Sequence, residues 1–218
     1  MLSQLPDSIP VLNTANSIRS CNEKLWASQF NHIVPPTLIS SNMDDIRLFI
    51  SEHKDVIIKP LNSFGGNGIF KVSSDDVNKN VILEMMTELG EKQVVTQSYI
   101  KEAVKGDKRI LLLNGEFLGA ILRVHSKTDH RNNFFAGGKP VLTDLTERDQ
   151  EIIEVLKPKL RELGLYFVGI DIIGDYLIEV NVTSPTCLQE MNDLYGLRLE
   201  DRVIDFVTEL IDNRANIN

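Results

Sequence analysis

FVGIDIIGDYLIEVNVTSPT, residues 167–186, reads as two apolar strands joined by a tight turn at Gly174-Asp175. Three side chains interrupt the apolar run: Asp171, Glu179 and Asn181. Glu179 and Asn181 are two residues apart, so they share one face of their strand. The face taken by Asp171 depends on the turn. A two-residue loop puts it on the opposite face. A three-residue loop, Gly174-Asp175-Tyr176, pairs Ile173 with Leu177, Ile172 with Ile178, Asp171 with Glu179 and Ile170 with Val180. This second register leaves one face wholly apolar and gathers the oxygen-bearing side chains on the other. A one-residue slip would scatter both sets, so the pattern selects the register. Two carboxylates directly opposite one another repel, and a cation between them removes the conflict. An Asp/Glu/Asn donor set suits Mg²⁺, which keeps several waters and takes much of its shell from phosphates. The plain alternative is a hairpin with one solvated polar face.

The 218 residues can build one large domain or two small lobes. A content of 42% hydrophobic and 25% charged residues is that of a folded globular protein. The net charge of −8 excludes a general nucleic-acid binder, which needs a basic excess to displace phosphate counterions. It leaves room for a nucleotide, which needs only a local basic site. No apolar run approaches membrane-spanning length, and residues 1–10 have neither the basic nor the apolar region of a signal peptide. Cys21 and Cys187 lack metal-ligand spacing and read as reduced thiols of a cytoplasmic protein.

Outward from the hairpin, residues 1–13 read as a polar arm. Asn16 is expected to cap a helix reaching about Phe30, with Ile18, Leu25 and Trp26 buried; Lys24 lies within it. A strand over 34–40 and a helix capped by Asn42 follow. Residues 55–72, DVIIKPLNSFGGNGIFKV, read strand, glycine loop, strand. Lys59 ends the first strand, and Gly65, Gly66 and Gly68 let backbone N–H groups approach an anion closely. The loop has neither the Walker A order nor the helix that follows a dinucleotide fingerprint, so a flexible hairpin tip is the competing reading. A helix over about 78–89, ended by Gly90, and a strand over 93–100 complete this part.

Residues 107–124 form a hairpin with a type I′ turn at Asn114-Gly115. Arg109 and Arg123 share a face only if the ladder slips, and Gly119 is the place for such a bulge. Residues 126–140 read as a long loop carrying Arg131, Asn133, Gly137 and Gly138. Thr146 opens a helix with a capping pattern to Asp149, and an amphipathic helix over about 200–213 ends the chain.

Taken together, Lys24, Lys59 with GGNG, QSYI, GDKR, an arginine loop and D…E-x-N before TSPT resemble the ATP-grasp superfamily. The runs NEKLWASQF, IIKPLNSFGGNGIFKV, EAVKGDKRILLLNGE and FVGIDIIGDYLIEVNVTSPT are similar to bacterial glutathione synthetase from about Val11 onward. The resemblance implies an α+β ATP-grasp fold in which two lobes with mostly antiparallel sheets grip a nucleotide. Residues 1–15 would be an arm, 16–95 the first lobe and 96–218 the second. It implies ATP with Mg²⁺, or Mn²⁺ in its place, as cofactors. Lys24 and Lys59 would hold the phosphates under a lid of Gly65, Gly66 and Gly68. Gln97, Tyr99, Ile100 and Asp107 would lie along the nucleotide, and Asp171, Glu179 and Asn181 would hold metal. Arg109, Arg123, Arg131 and Asn133 would be catalytic, with Ser184 and Thr186 beside the peptide.

The implied reaction is ligation of γ-glutamylcysteine to glycine, small-molecule substrates, by a cytoplasmic enzyme. Two departures stand out. The family loop reads Arg-Gly-Asn where this chain has Arg131-Asn132-Asn133. The family also carries an α/β domain ahead of the point where this chain begins. Two other readings therefore stand: a nucleotide-binding module that needs a partner chain or a homo-oligomer to supply that domain, or a sister ligase with another peptide or protein acceptor.

Overall fold

The computed structural model describes residues 2–6, 9–63, 65–124 and 138–215, leaving out the side chains of 214 and 215. Two antiparallel sheets organise them. The first holds β1 (Thr37–Ser40), β2 (Asp55–Pro60), β3 (Phe70–Ser73) and β4 (Val94–Ser98) in the order β1-β4-β2-β3. Helices α3 (Met43–His53) and α4 (Lys79–Met86) cover it, burying Ile46, Ile50 and Leu83 against Val56, Ile58, Val72 and Val94. Asn42 starts α3 as expected, its side chain accepting from the backbone N–H groups of Asp44 and Asp45.

The second sheet has the order β7-β6-β5-β8-β9, from β5 (Asp107–Leu113), β6 (Glu116–Val124), β7 (Lys139–Val141), β8 (Phe167–Ile173) and β9 (Tyr176–Asn181). One face packs on α5 (Glu147–Glu162) through Ile152, Ile153, Leu156 and Leu160. The Thr146–Asp149 capping box that opens α5 is present in both directions. The other end is closed by α6 (Leu188–Tyr195) and α7 (Leu199–Ala215), with Met191 and Leu199 against Leu111, Leu118 and Ile121. Sequence reading found α7 and missed α6, which begins right after the proline turn at Pro185.

The segment expected as one helix from Asn16 is two short helices, α1 (Ala15–Ser20) and α2 (Glu23–Ala27). Asn22 breaks it, because its side chain accepts from the N–H groups of Lys24 and Leu25 and starts a new helix. The break turns Leu25 out to solvent, against expectation, while Trp26 and Ala27 enter the core beneath the second sheet. Residues 16–27, expected in the first lobe, thus pack with the second sheet. Nor is all of the N-terminal stretch a loose arm. Asn13 is buried and pins it to the central hairpin: its amide donates to the Phe167 and Val182 carbonyls, and its Oδ1 accepts from the Phe167 N–H.

In the central hairpin Asp171 lies opposite Glu179 and Ile170 opposite Val180, as expected. The route differs. The turn is the two-residue one, with Ile173 opposite Tyr176 and Ile172 opposite Leu177, and a bulge at Ile178 restores the register. Leu177 therefore enters the core and Ile178 faces the cavity with Glu179. The β5–β6 hairpin slips where expected, beside Gly119, where Leu118 has no ladder partner. That slip puts Arg109 and Arg123 on one face.

Candidate functional site

Between the two sheets lies a cavity of about 640 Å³. The first sheet contributes Ile57, Lys59, Gly65, Gly66, Ile69 and Gln97; the second contributes Asp107, Arg109, Arg123, Asp171, Glu179 and Asn181. Ser98, Tyr99 and Ile100 form the crossing between them, and Thr183 to Thr186 close the far end.

The cations and carboxylates are matched closely. Arg109 meets Asp171 with two nitrogens, its Nη2 donating at 3.0 Å. Arg123 meets Asp107 with Nε at 2.8 Å and Nη2 at 2.7 Å, and the same Nη2 lies 3.1 Å from Asp171. Burial opposes the charge on Asp171, but the Arg109 and Arg123 guanidiniums hold its carboxyl well below the usual carboxylate range. Asp107 sits deeper in cost: burial pushes its carboxyl up, with Arg123 opposing. Asn181 Nδ2 is 3.5 Å from Asp171 Oδ2.

Two buried lysines approach Glu179 from the opposite side. Lys24 Nζ is 3.4 Å from Glu179 Oε1 and 3.0 Å from Glu23, and it donates to the Ser63 carbonyl at 2.7 Å. Despite burial, Glu179 and Glu23 hold the Lys24 ammonium above its ordinary value. Lys59 lies 4.0 Å from Glu179 and donates to Gln97 Oε1 at 3.3 Å. Burial pushes the Lys59 ammonium below its ordinary value; Glu179 opposes that, and the charge of Lys24 adds to it.

The other expected residues fall as follows. Gly65 and Gly66 line the cavity, both at positive φ; Gly68 does not line it, and a Cβ there would meet Pro60 at 3.1 Å. The Gln97 amide is committed, donating to Thr37 Oγ1 at 2.8 Å and accepting from Lys59. The Tyr99 ring is covered by Lys71, 3.9 Å from its centroid. Asp107 lines the cavity with its carboxylate on Arg123. Ser184 and Thr186 lie at the far end, where Thr186 accepts from Arg109 at 3.4 Å. Arg131 and Asn133 lie outside the described residues.

Sequence reading missed Glu23, Ile178 and Glu190, which also line the cavity. Glu23 adjoins a lysine already singled out. Ile178 depends on a bulge, and Glu190 on a helix that went unread.

Two solved ligases share this architecture. The ATP-grasp ligase PsnB, in complex with a minimal precursor, superposes with a TM-score of 0.68 at 17% identity, over 92% of this chain and 64% of that one. The D-alanine–D-alanine ligase of Bacillus anthracis, complexed with ATP, gives a TM-score of 0.61 at 18% identity over 93% and 70%. The fold is that of ATP-grasp ligases.

Sequence comparison narrows the class. A family model described as the ATP-grasp domain of prokaryotic glutathione synthetase matches residues 23–196, and the chain belongs to that family. Glutathione synthetase of Pseudomonas aeruginosa is 45% identical over 198 residues, and that of Gloeobacter violaceus 48% identical over 199. The matches cover 90% and 91% of this chain but span only 62% and 61% of those proteins.

Proposed function

We propose that the chain is an ATP-dependent ligase of glutathione synthetase type that joins γ-glutamylcysteine to glycine. The observation that carries this reading is the convergence in one cavity of Lys59 and the glycine loop from one sheet with the Asp171–Glu179 pair and two arginines from the other. The two sheets would be the lobes, with α1 and α2 belonging to the second.

In this reading ATP lies between the sheets, its base near Ser98, Tyr99 and Ile100. Lys24 and Lys59 face the phosphates, and Gln97 fixes Lys59 rather than reading the base. Asp171, Glu179 and Asn181 are oxygen donors on one face, the set that Mg²⁺ or Mn²⁺ takes. Among the described residues no three His, Cys, Asp or Glu side chains are grouped to hold a metal. Two carboxylates and an amide still suit an ion that draws the rest of its shell from phosphate and water. Such an ion would supply charge neutralisation.

The residues serve a reaction that brings anions together. The γ-phosphoryl group passes to a substrate carboxylate, giving an acyl phosphate and ADP. The amine then attacks the acyl carbon, and phosphate leaves as the amide forms. Arg109 and Arg123 offer fixed positive charge to the transferred group and to the oxyanion of the second step. The glycine loop excludes water that would hydrolyse the acyl phosphate. Neither buried, free cysteine is needed as a nucleophile, and reduced thiols fit a cytoplasmic setting. No helix of the described residues is long and apolar enough to cross a membrane.

The test is steady-state ADP release with Mg²⁺, ATP, γ-glutamylcysteine and glycine, omitting each in turn. Release that requires both substrates and yields the tripeptide is expected. A chain that fails to bind MgATP refutes the reading.

A further inference from the structure

Five carboxylates line the cavity: Glu23, Asp107, Asp171, Glu179 and Glu190. Four of them have cations. Glu23 and Glu179 share Lys24, Glu179 also faces Lys59, Asp107 holds Arg123, and Asp171 holds Arg109 and Arg123. Glu190 has no hydrogen-bond or ion-pair partner among the described residues. It stands on the third residue of α6, one helical turn past Thr186, whose hydroxyl accepts from Arg109. It is half-buried. A carboxylate at that helical position often bonds back to the capping backbone N–H, but the cap here makes no such bond. Glu190 lies at the end of the cavity where Ser184 and Thr186 gather, beside the Arg109 guanidinium that reaches the Thr186 hydroxyl at 3.4 Å.

We propose that Glu190 is a specificity residue that receives the ammonium group of an amino-acid or peptide substrate. For a half-buried carboxylate with no cation among the described residues, a primary ammonium is the substrate group that matches it in charge and donors. Ser184 and Thr186 offer hydroxyls beside it. Both substrates of the proposed ligase carry an amino group: the α-ammonium of γ-glutamylcysteine and the amine of glycine. The inference rests on the ligase reading.

Glu190→Gln keeps the shape and removes the charge. The KM for one amino substrate should rise roughly ten- to hundredfold, the range for losing one side of a charge-assisted hydrogen bond, while the KM for ATP stays put. A parallel assay with N-glutarylcysteine, which lacks the α-ammonium, identifies the source. If the peptide's ammonium is bound, the wild-type chain prefers γ-glutamylcysteine and the variant loses that preference. If glycine is bound, the preference persists and the glycine KM rises instead. Either result supports the inference, and Glu190→Asp should restore part of the loss. Wild-type turnover together with variant KM values for both substrates within about twofold overturns it. A wild-type chain that makes no product with these substrates overturns the ligase reading and this inference together.

Discussion

Replacing Lys59 by methionine should make the chain more stable and unable to hold nucleotide. Lys59 is 3% exposed. Among the described residues its ammonium has one hydrogen bond, to Gln97 at 3.3 Å, and a distant carboxylate, Glu179 at 4.0 Å, which Lys24 approaches more closely at 3.4 Å. The folded chain thus bears a desolvated cation with weak compensation and a second cation nearby. Because Glu179 retains Lys24 and no charge is left unpaired, exchanging such a group for an apolar one of similar size should gain about 1–2 kcal/mol. Glu179 keeps Lys24, and Gln97 keeps Thr37 and contact with the cavity. For a chain of this length that gain raises Tm by roughly 2–8 °C.

The pH dependence has a defined sign. The folded value of Lys59 lies below the unfolded one, so its penalty is full below the folded value and fades as the pH climbs through it toward the unfolded value of about 10.4. The advantage of Lys59→Met should shrink over the same range. Melting curves with and without MgATP provide the assay. Wild type at about a hundredfold excess over Kd should gain about 2.7 kcal/mol, roughly 5–11 °C, and the variant almost none. A variant that melts lower than wild type without nucleotide, or retains the MgATP shift, refutes the reasoning.

Asp171→Asn should do the reverse, costing about 3–5 kcal/mol because it strands the buried Arg109 guanidinium and leaves Arg123 with Asp107 alone, and should abolish Mg²⁺-dependent ATP binding. Asp171 is held below its ordinary value, so its stabilisation is present above about pH 3.9 and falls away only in stronger acid; denaturant titrations of both proteins should converge there. Asn13→Ala leaves the Phe167 N–H and two carbonyls without their partner and should cost about 2–4 kcal/mol by urea unfolding, with the ATP affinity little changed. Gly106→Ala forces a side chain onto φ +119° with Cβ 2.5 Å from the Arg123 carbonyl oxygen. It should lower stability by about 1–3 kcal/mol and, by moving Arg123, reduce kcat more than the KM for ATP.

Local chemistry made much of this legible in the sequence. Apolar alternation and a repelling carboxylate pair were enough to place Asp171 opposite Glu179, and one interior glycine marked Gly119 as the place for a slip if both hairpin arginines serve one site. The misses share a cause. Asn22 competes for backbone N–H groups inside an otherwise helical pattern, so periodicity alone ran two helices together and buried Leu25 on paper. The short turn with a compensating bulge and the three-residue turn pair Asp171 identically, so the pattern could not distinguish them. Asn13, Gln97 and Glu190 depend on what approaches them from elsewhere in the chain, information that no local window holds.

The bulge at Ile178 has one more consequence. A regular strand is a binary device: each residue faces one side or the other, and a given face receives every second side chain. One surplus residue suspends that rule for a single step. Ile178 and Glu179, neighbours in sequence, both reach the cavity, so an apolar wall and a carboxylate occupy one rung of the ladder. A hydrocarbon beside a charge displaces water that would screen it. The grip of Glu179 on a cation is thus set partly by a residue whose only irregularity is to be one more than the strand requires.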